Sequence, residues 1–206
     1  MKIEIVPTGP FEVNCCVIEP AAGHVWIIDP GGDTADVIAA LKTFSASTPE
    51  AILLTHAHFD HVAGIEELQT LYPELPVYVH VKDEPALGNP LNQMPPEYPL
   101  SPIPHNLKDV KELEGRFGLK VIETPGHTPG GVCYYFAEAA TLFSGDTLFA
   151  GSCGRTDFYG GDFPTIQRSL QVLAKLPAPT RVIPGHGRET TIGFEVEHNP
   201  YIKEEK

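Results

Sequence analysis

The chain has 206 residues, 42% of them hydrophobic, enough for a sizeable core in one large domain or two small ones. Its formal charge of −13 excludes a general nucleic-acid binder, because phosphate contacts need a basic face. No apolar run is long enough to cross a bilayer and no basic, apolar leader opens the chain, so the expected location is the cytoplasm, without a membrane partner.

The N-terminal third reads as three strands, Lys2–Val6, Val13–Glu19 and His24–Asp29, separated by turn signals at Gly9-Pro10 and Pro20–Gly23. A helix over Ala35–Lys42 is expected next, with Asp33 or Thr34 as its cap. The apolar run Ile52-Leu53-Leu54 reads as a buried strand, and His56, His58, Asp60 and His61 follow it at once. Val62, Ile65, Leu68 and Leu71 then recur at helix spacing up to Pro73, and Val77–His80 forms another strand. Strands alternating with helices indicate a layered α/β domain.

Residues 85–104 hold seven prolines and no sustained period, as a functional loop or a surface insertion does. Met94 and Tyr98 are its expected contact residues. Composition does not shift here, so residues 1–206 are read as one domain carrying a proline-rich loop. Strands follow at Leu119–Thr124, Val132–Phe136 and Thr141–Ser144, then a helix over Thr165–Ala174 capped near Asp162 and stopped by Pro177, then strand Arg181–Ile183. Cys15 and Cys16 are adjacent, Cys133 and Cys153 lie far away, and no C-x-x-C occurs, which argues against a disulfide framework and a four-cysteine zinc site.

The chemistry-bearing residues sit where strands end. H-x-H-x-D-H at 56–61 places four metal-capable side chains in one strand-to-helix connection. T-P-G-H-T-P-G presents His127 from a backbone held by prolines and glycines. S-G-D-T-L-F carries Asp146, and I-P-G-H-G carries His186. Imidazole and carboxylate together suit zinc, iron or manganese. Asp29, Thr55 and Thr128 neighbour these positions and are candidates to orient a ligand, whereas His24, His80, His105 and His198 read as structural or solvent-exposed.

Together T-H-A-H-F-D-H, G-H-T-P-G, S-G-D-T-L-F and P-G-H resemble the metallo-β-lactamase superfamily, from residue 56 to residue 186. The resemblance implies a four-layer αβ/βα sandwich with two central mixed sheets and outer helices. It also implies two divalent ions, zinc foremost with iron or manganese as alternatives. His56, His58 and His127 would hold one ion; Asp60, His61 and His186 would hold the other; Asp146 would bridge. Such an arrangement holds ions about 3.5–4 Å apart and lowers the pKa of bound water from 15.7 to about 7. Hydrolysis then proceeds by attack of a metal-bound hydroxide, with Asp60 and Asp146 as the catalytic carboxylates. The centre keeps net positive charge inside an acidic chain, which suits an anionic substrate.

Within the superfamily, zinc β-lactamases of the main class match poorly, having other residues at the positions of His61 and Asp146. G-P-F-E-V-N-C-C-V-I-E and S-G-D-T-L-F-A-G-S-C-G-R look like glyoxalase II, the hydroxyacylglutathione hydrolases. That likeness implies thioester hydrolysis, S-lactoylglutathione as the type substrate, and Arg155 as its anion contact. The C-terminal helical domain of the long enzymes is not expected, since the ending G-H-G-R-E-T-T-I-G-F-E-V-E-H-N-P looks like the short, single-domain bacterial members, and a monomer or homodimer is expected. Arg188, Lys203 or the proline-rich loop are then expected to supply the missing substrate contacts. The alternative is a persulfide dioxygenase using one iron on His56, His127 and Asp146, suggested by C-G-R-T-D-F at 153–158.

Overall fold

The structure is a computed structural model describing residues 1–46, 48–92, 100 and 103–202; Met94, Tyr98 and Lys203 lie outside the described residues. The chain forms two compact units, Met1–Glu112 and Leu113–Lys206.

In the first unit six described strands form one mixed sheet, in chain order: β1 (Lys2–Thr8), β2 (Val13–Ala21), β3 (His24–Ile28), β4 (Ala51–Leu53), β5 (Val77–Val79) and β6 (Leu107–Asp109). β1, β2 and β3 are antiparallel neighbours joined by tight turns, and β3 to β6 run parallel. The parallel members need crossovers. Helix α1 (Thr34–Leu41) provides the first; α2 (Phe59–Val62) and α3 (Ile65–Leu71) provide the second. Val25, Ile27, Ile52 and Val77 pack with Val37, Leu41, Ile65 and Leu68 from the helices in one core. The side chains of β4 are wholly buried, which is why its sequence is a continuous apolar run rather than an alternating one.

The second unit has a five-stranded mixed sheet in the order β13-β12-β9-β8-β7, from β7 (Leu119–Glu123), β8 (Val132–Phe136), β9 (Thr141–Gly145), β12 (Arg181–Pro184) and β13 (Thr190–Thr191). A small hairpin, β10 (Leu148–Phe149) with β11 (Ser152–Cys153), follows β9. Helices α4 (Phe163–Leu173) and α5 (Ile192–His198) complete the unit. Leu170 and Leu173 of α4 pack with Cys133, Leu142 and Val182 of the sheet and with Ile192. Asp162 caps α4 through Thr165 N–H at 2.9 Å, as the sequence leads one to expect.

Three differences from the sequence reading have physical causes. The single helix expected after His61 is broken into α2 and α3 at Gly64, whose N–H donates to Pro30 O at 2.9 Å. A Cβ there would stand 2.8 Å from Thr34 Cγ2, so the break is also a close approach. Asp33 stands at the N-terminus of α1 but makes no side-chain cap. Finally β6, β10, β11, β13 and α5 are too short, or too polar, to show a period.

Candidate metal centre

The first unit brings His56, His58, Asp60 and His61 together at the carboxyl end of β4. β3 and β4 are parallel with Ile28 opposite Leu53, so Asp29 and Thr55 leave the sheet side by side. Asp29 takes a left-handed backbone (φ 50°) and its carboxylate accepts from Thr55 N–H at 2.8 Å and Thr55 Oγ1 at 2.6 Å. With that hydroxyl proton spent on Asp29, the oxygen 3.1 Å from His56 Nδ1 can only accept. His56 therefore carries its proton on Nδ1 and presents a lone pair on Nε2. Asp29 Oδ2 also lies 3.1 Å from His61 Nδ1, an ion-pair distance. One buried carboxylate thus orients His56 through Thr55 and lies beside His61. Donor atoms of Asp29, His56 and His61 all lie within 4.8 Å of one another.

His58 and His61 are tied by the first turn of α2, where His61 N–H donates to His58 O at 3.0 Å. The His58 ring stands edge-on to His56, centroids 4.7 Å apart. Asp60, with 14% of its side chain exposed, is the open member, 3.9 Å from His61 Nε2. Between the two ligands of H-x-H, Ala57 is held on both sides. Its N–H donates to buried Asp83 Oδ2 at 3.2 Å, and its carbonyl accepts from Asn92 Nδ2 at 2.5 Å. The sequence carried no signal for Asp83 or Asn92, which lie 26 and 35 residues beyond Ala57.

The second unit assembles His127, Asp146 and His186. β9 and β12 are parallel, with Pro184 opposite Gly145, so Asp146 and His186 emerge together. Asp146 Oδ2 lies 3.5 Å from His127 Nε2 and 3.6 Å from His186 Nε2. His127 Nδ1 donates to Arg155 O at 2.7 Å, so its Nε2 faces the carboxylate with a lone pair unless it binds a proton or a metal. Gly154 makes that contact attainable: a Cβ there would fall 1.8 Å from Asp146 O and 3.0 Å from His127 Nδ1. Gly126, at φ +132°, lets the His127 loop lie against α4, where a Cβ would meet Ile166 N at 2.2 Å. Two imidazole nitrogens turned towards a carboxylate, with the far nitrogen of His127 oriented by a carbonyl oxygen, are a donor set that a divalent cation fits.

Other sequence-derived candidates sit as follows. Arg155 acts on His127 through its carbonyl, while its guanidinium makes a two-pronged pair with Asp157, both contacts 2.7 Å, and lies 3.8 Å from the Phe158 ring centroid. The pair raises the Arg155 pKa and holds the Asp157 carboxyl down at about 2. His24 contacts Glu50, His105 Nε2 meets Pro73 O, and His198 Nδ1 meets Phe194 O. His80 accepts Lys82 N–H on Nδ1. None of the four cysteines forms a disulfide; burial raises the pKa of Cys15 well above its ordinary value and that of Cys153 to about 11, so neither is a ready thiolate. Among the described residues no helix is long and apolar enough to cross a membrane.

The sequence profile of the Metallo-beta-lactamase superfamily matches residues 8–186. Among curated proteins, a probable metallo-hydrolase YqgX of Bacillus subtilis (strain 168) is 37% identical, with 98% of each chain covered. The hydroxyacylglutathione hydrolase GloC of Haemophilus influenzae is 33% identical, again with 98% of each chain covered. Among solved structures, the B3 metallo-beta-lactamase BLEG-1 superposes with a TM-score of 0.88 at 38% identity, over 98% of this chain and 99% of that one. TTHA1623 in a di-iron-bound form gives a TM-score of 0.88 at 40% identity, over 96% and 99%. ETHE1 from Myxococcus xanthus gives 0.73 at 27%, over 97% and 84%. The fold is therefore the α/β sandwich, mixed sheets with helices, that the sequence motifs imply.

Proposed function

The chain belongs to the metallo-beta-lactamase superfamily, and from that membership we propose that it is a dinuclear-metal hydrolase cleaving thioesters of the S-lactoylglutathione type. The observation that carries this reading is the position of Asp146, one of whose oxygens faces Nε2 of both His127 and His186, as suits a carboxylate shared by two ions. In this reading His56, His58 and His127 would hold one ion, Asp60, His61 and His186 would hold the other, and Asp146 would serve both. Zinc is the proposed metal; the di-iron form of TTHA1623 supports a pair of ions and keeps iron beside zinc. The substrate class is supported by the likeness to the hydroxyacylglutathione hydrolase GloC.

When bound, the ions supply a water of lowered pKa and a Lewis acid for the thioester carbonyl. The chain's own groups do the rest. Thr55, anchored on Asp29, holds His56 in one tautomer, the Arg155 carbonyl does so for His127, and Asp60 would accept a hydrogen bond from a bound water and aim its lone pair. Arg155 is proposed to meet the anionic part of the substrate, in exchange with Asp157, and Arg188 and the proline-rich loop are proposed as further contacts. The proposed setting is cytoplasmic, as monomer or homodimer, without nucleic-acid or membrane partners.

A second reading, a mononuclear iron persulfide dioxygenase, draws on C-G-R-T-D-F at 153–158 and on the pairing of His127 with Asp146; the likeness to ETHE1 gives it weak support. One preparation decides. Metal content is measured, then hydrolysis of S-lactoylglutathione, opening of a β-lactam, and oxygen uptake with glutathione persulfide. Two ions per chain with thioester cleavage is the expected result. Oxygen uptake with one iron and no cleavage would sink the hydrolase; β-lactam turnover alone would keep the chemistry and replace the substrate.

A further inference from the structure

We propose that Glu195 and Asn199, in the C-terminal T-T-I-G-F-E-V-E-H-N segment, are positioning residues that buckle the β10–β11 hairpin and thereby hold Asp146 and His127 in place. The proposal rests on the reading of those two residues as metal ligands.

Glu195 and Asn199 are both fully buried, unusual for a carboxylate unless its oxygens are engaged. Glu195 lies within α5 and Asn199 is its C-cap, whose N–H donates to Glu195 O at 2.8 Å. Glu195 Oε1 accepts from Thr190 Oγ1 at 2.6 Å, and Oε2 accepts from Gly151 N–H and Asn199 Nδ2, both at 2.8 Å. Asn199 Nδ2 also donates to Ser152 O at 2.9 Å, while its Oδ1 accepts from Tyr201 N–H at 2.9 Å. The N–H of Gly151 and the C=O of Ser152, adjacent groups at the hairpin tip, are thus both taken by this one helix.

The hairpin conveys that anchorage to the centre. Leu148 pairs with Cys153 and Phe149 with Ser152. Gly154 N–H donates to Thr147 O at 3.4 Å, and Gly154 lies too close to the Asp146 carbonyl to admit a side chain. One arm starts at Asp146, whose carboxylate faces two imidazoles; the other ends at Arg155, whose carbonyl fixes the His127 tautomer. Both ends of a ten-residue loop act on the centre, and its tip is fastened to α5. An apolar contact would bury the same helix, but only directed donors and acceptors fix the position of the tip along it. The tail segment that marks the short members is accordingly part of the ligand scaffold.

The test uses the full chain and zinc affinity measured by competition with a chromophoric chelator, together with the visible spectrum of the cobalt(II)-substituted protein. Glu195→Ala and Asn199→Ala are expected to weaken zinc binding about tenfold or more and to alter the cobalt spectrum. Glu195→Gln, whose carbonyl still accepts from Gly151, is expected to stay within about threefold. Thr191→Ala is the control. It removes the α5 cap on Phe194 N–H (3.2 Å) without touching the hairpin, and lowers the thermal midpoint while leaving zinc affinity and spectrum unchanged. If the Glu195 and Asn199 variants behave like Thr191→Ala, the residues only anchor a helix and the proposal is overturned. Should Glu195→Ala not fold, Asn199→Ala carries the same comparison. Asp146→Ala on the same titration separates the two levels. Undiminished zinc binding there overturns the metal centre itself, whereas its loss beside unaffected Glu195 and Asn199 variants overturns the buckle alone.

Discussion

Thr55 shows how much a single side chain carries. Its N–H and hydroxyl both donate to Asp29, and its oxygen accepts the His56 proton. Thr55→Val keeps the volume and the backbone donor but removes both hydroxyl contacts. We expect zinc affinity to fall about tenfold to a hundredfold, measured by chelator competition, with far-ultraviolet circular dichroism unchanged. Arg155 and Asp157 make a prediction about pH. The folded Asp157 pKa is depressed from 3.8 to about 2, first of all by the hydrogen bonds from Arg155. A depressed pKa means a stabilising contribution complete above the unfolded value and lost as pH falls from about 4 to about 2. Carboxyl titration by NMR should place the Asp157 midpoint near 2 and return it towards 3.8 in Arg155→Ala. A midpoint unchanged by that substitution would show the pair to be absent in solution. The same variant should weaken turnover of anionic thioesters more than of small neutral esters, and equal loss on both would remove Arg155 from the substrate site.

Among the elements, the His127 loop and α4 depend on each other. Asp162 N–H donates to Gly126 O at 2.8 Å and Ser169 Oγ to Pro125 O at 2.7 Å, so the helix N-terminus and the ligand loop are one unit. Gly126→Ala places a Cβ against Ile166 at a left-handed backbone angle. We expect it to cost more than about 2 kcal/mol in denaturant unfolding and to weaken metal binding as well. Leu170→Ala, which opens a hole between α4 and its sheet, should cost about 2–5 kcal/mol while leaving the metal stoichiometry intact. The contrast matters because both substitutions act through the same helix. α4 was legible in the sequence because Asp162, an apolar stripe and Pro177 mark its ends and its face. The split between α2 and α3 was not, because Gly64 reads as a tolerated glycine until Pro30 and Thr34 are known to lie against it.

At the scale of the molecule, each compact unit carries part of the proposed ligand set at the carboxyl ends of its strands. The family profile and the relatives run through both units. If Asp146 serves two ions, Asp146→Asn should deplete both, read as metal equivalents per chain by elemental analysis; loss of only one would contradict the bridging assignment. Removing metal from the wild-type chain with a chelator should lower its thermal midpoint. Free metal at a thousandfold its Kd contributes about 4 kcal/mol to the folded state. A midpoint indifferent to the chelator would mean that the donor set is not occupied in solution.

Residue chemistry and local spacing marked a layered α/β chain and its metal-capable turns, and the resemblance of those motifs to a known superfamily supplied the sandwich fold and the division of ligands. Those motifs depend on side-chain type and on turns a few residues long, which the chain spells out directly. H-x-H-x-D-H, the proline- and glycine-held His127 and the P-G-H turn needed no third dimension to be read. Only the tertiary structure decided what orients them. Asp83 and Asn92 grip Ala57, Gly154 admits the Arg155 carbonyl to His127, and Glu195 fastens the hairpin tip, each across 26 to 44 residues of chain. These contacts depend on which strands run parallel and in what register, and on where a missing Cβ lets backbones meet. Sequence spacing carries no record of either.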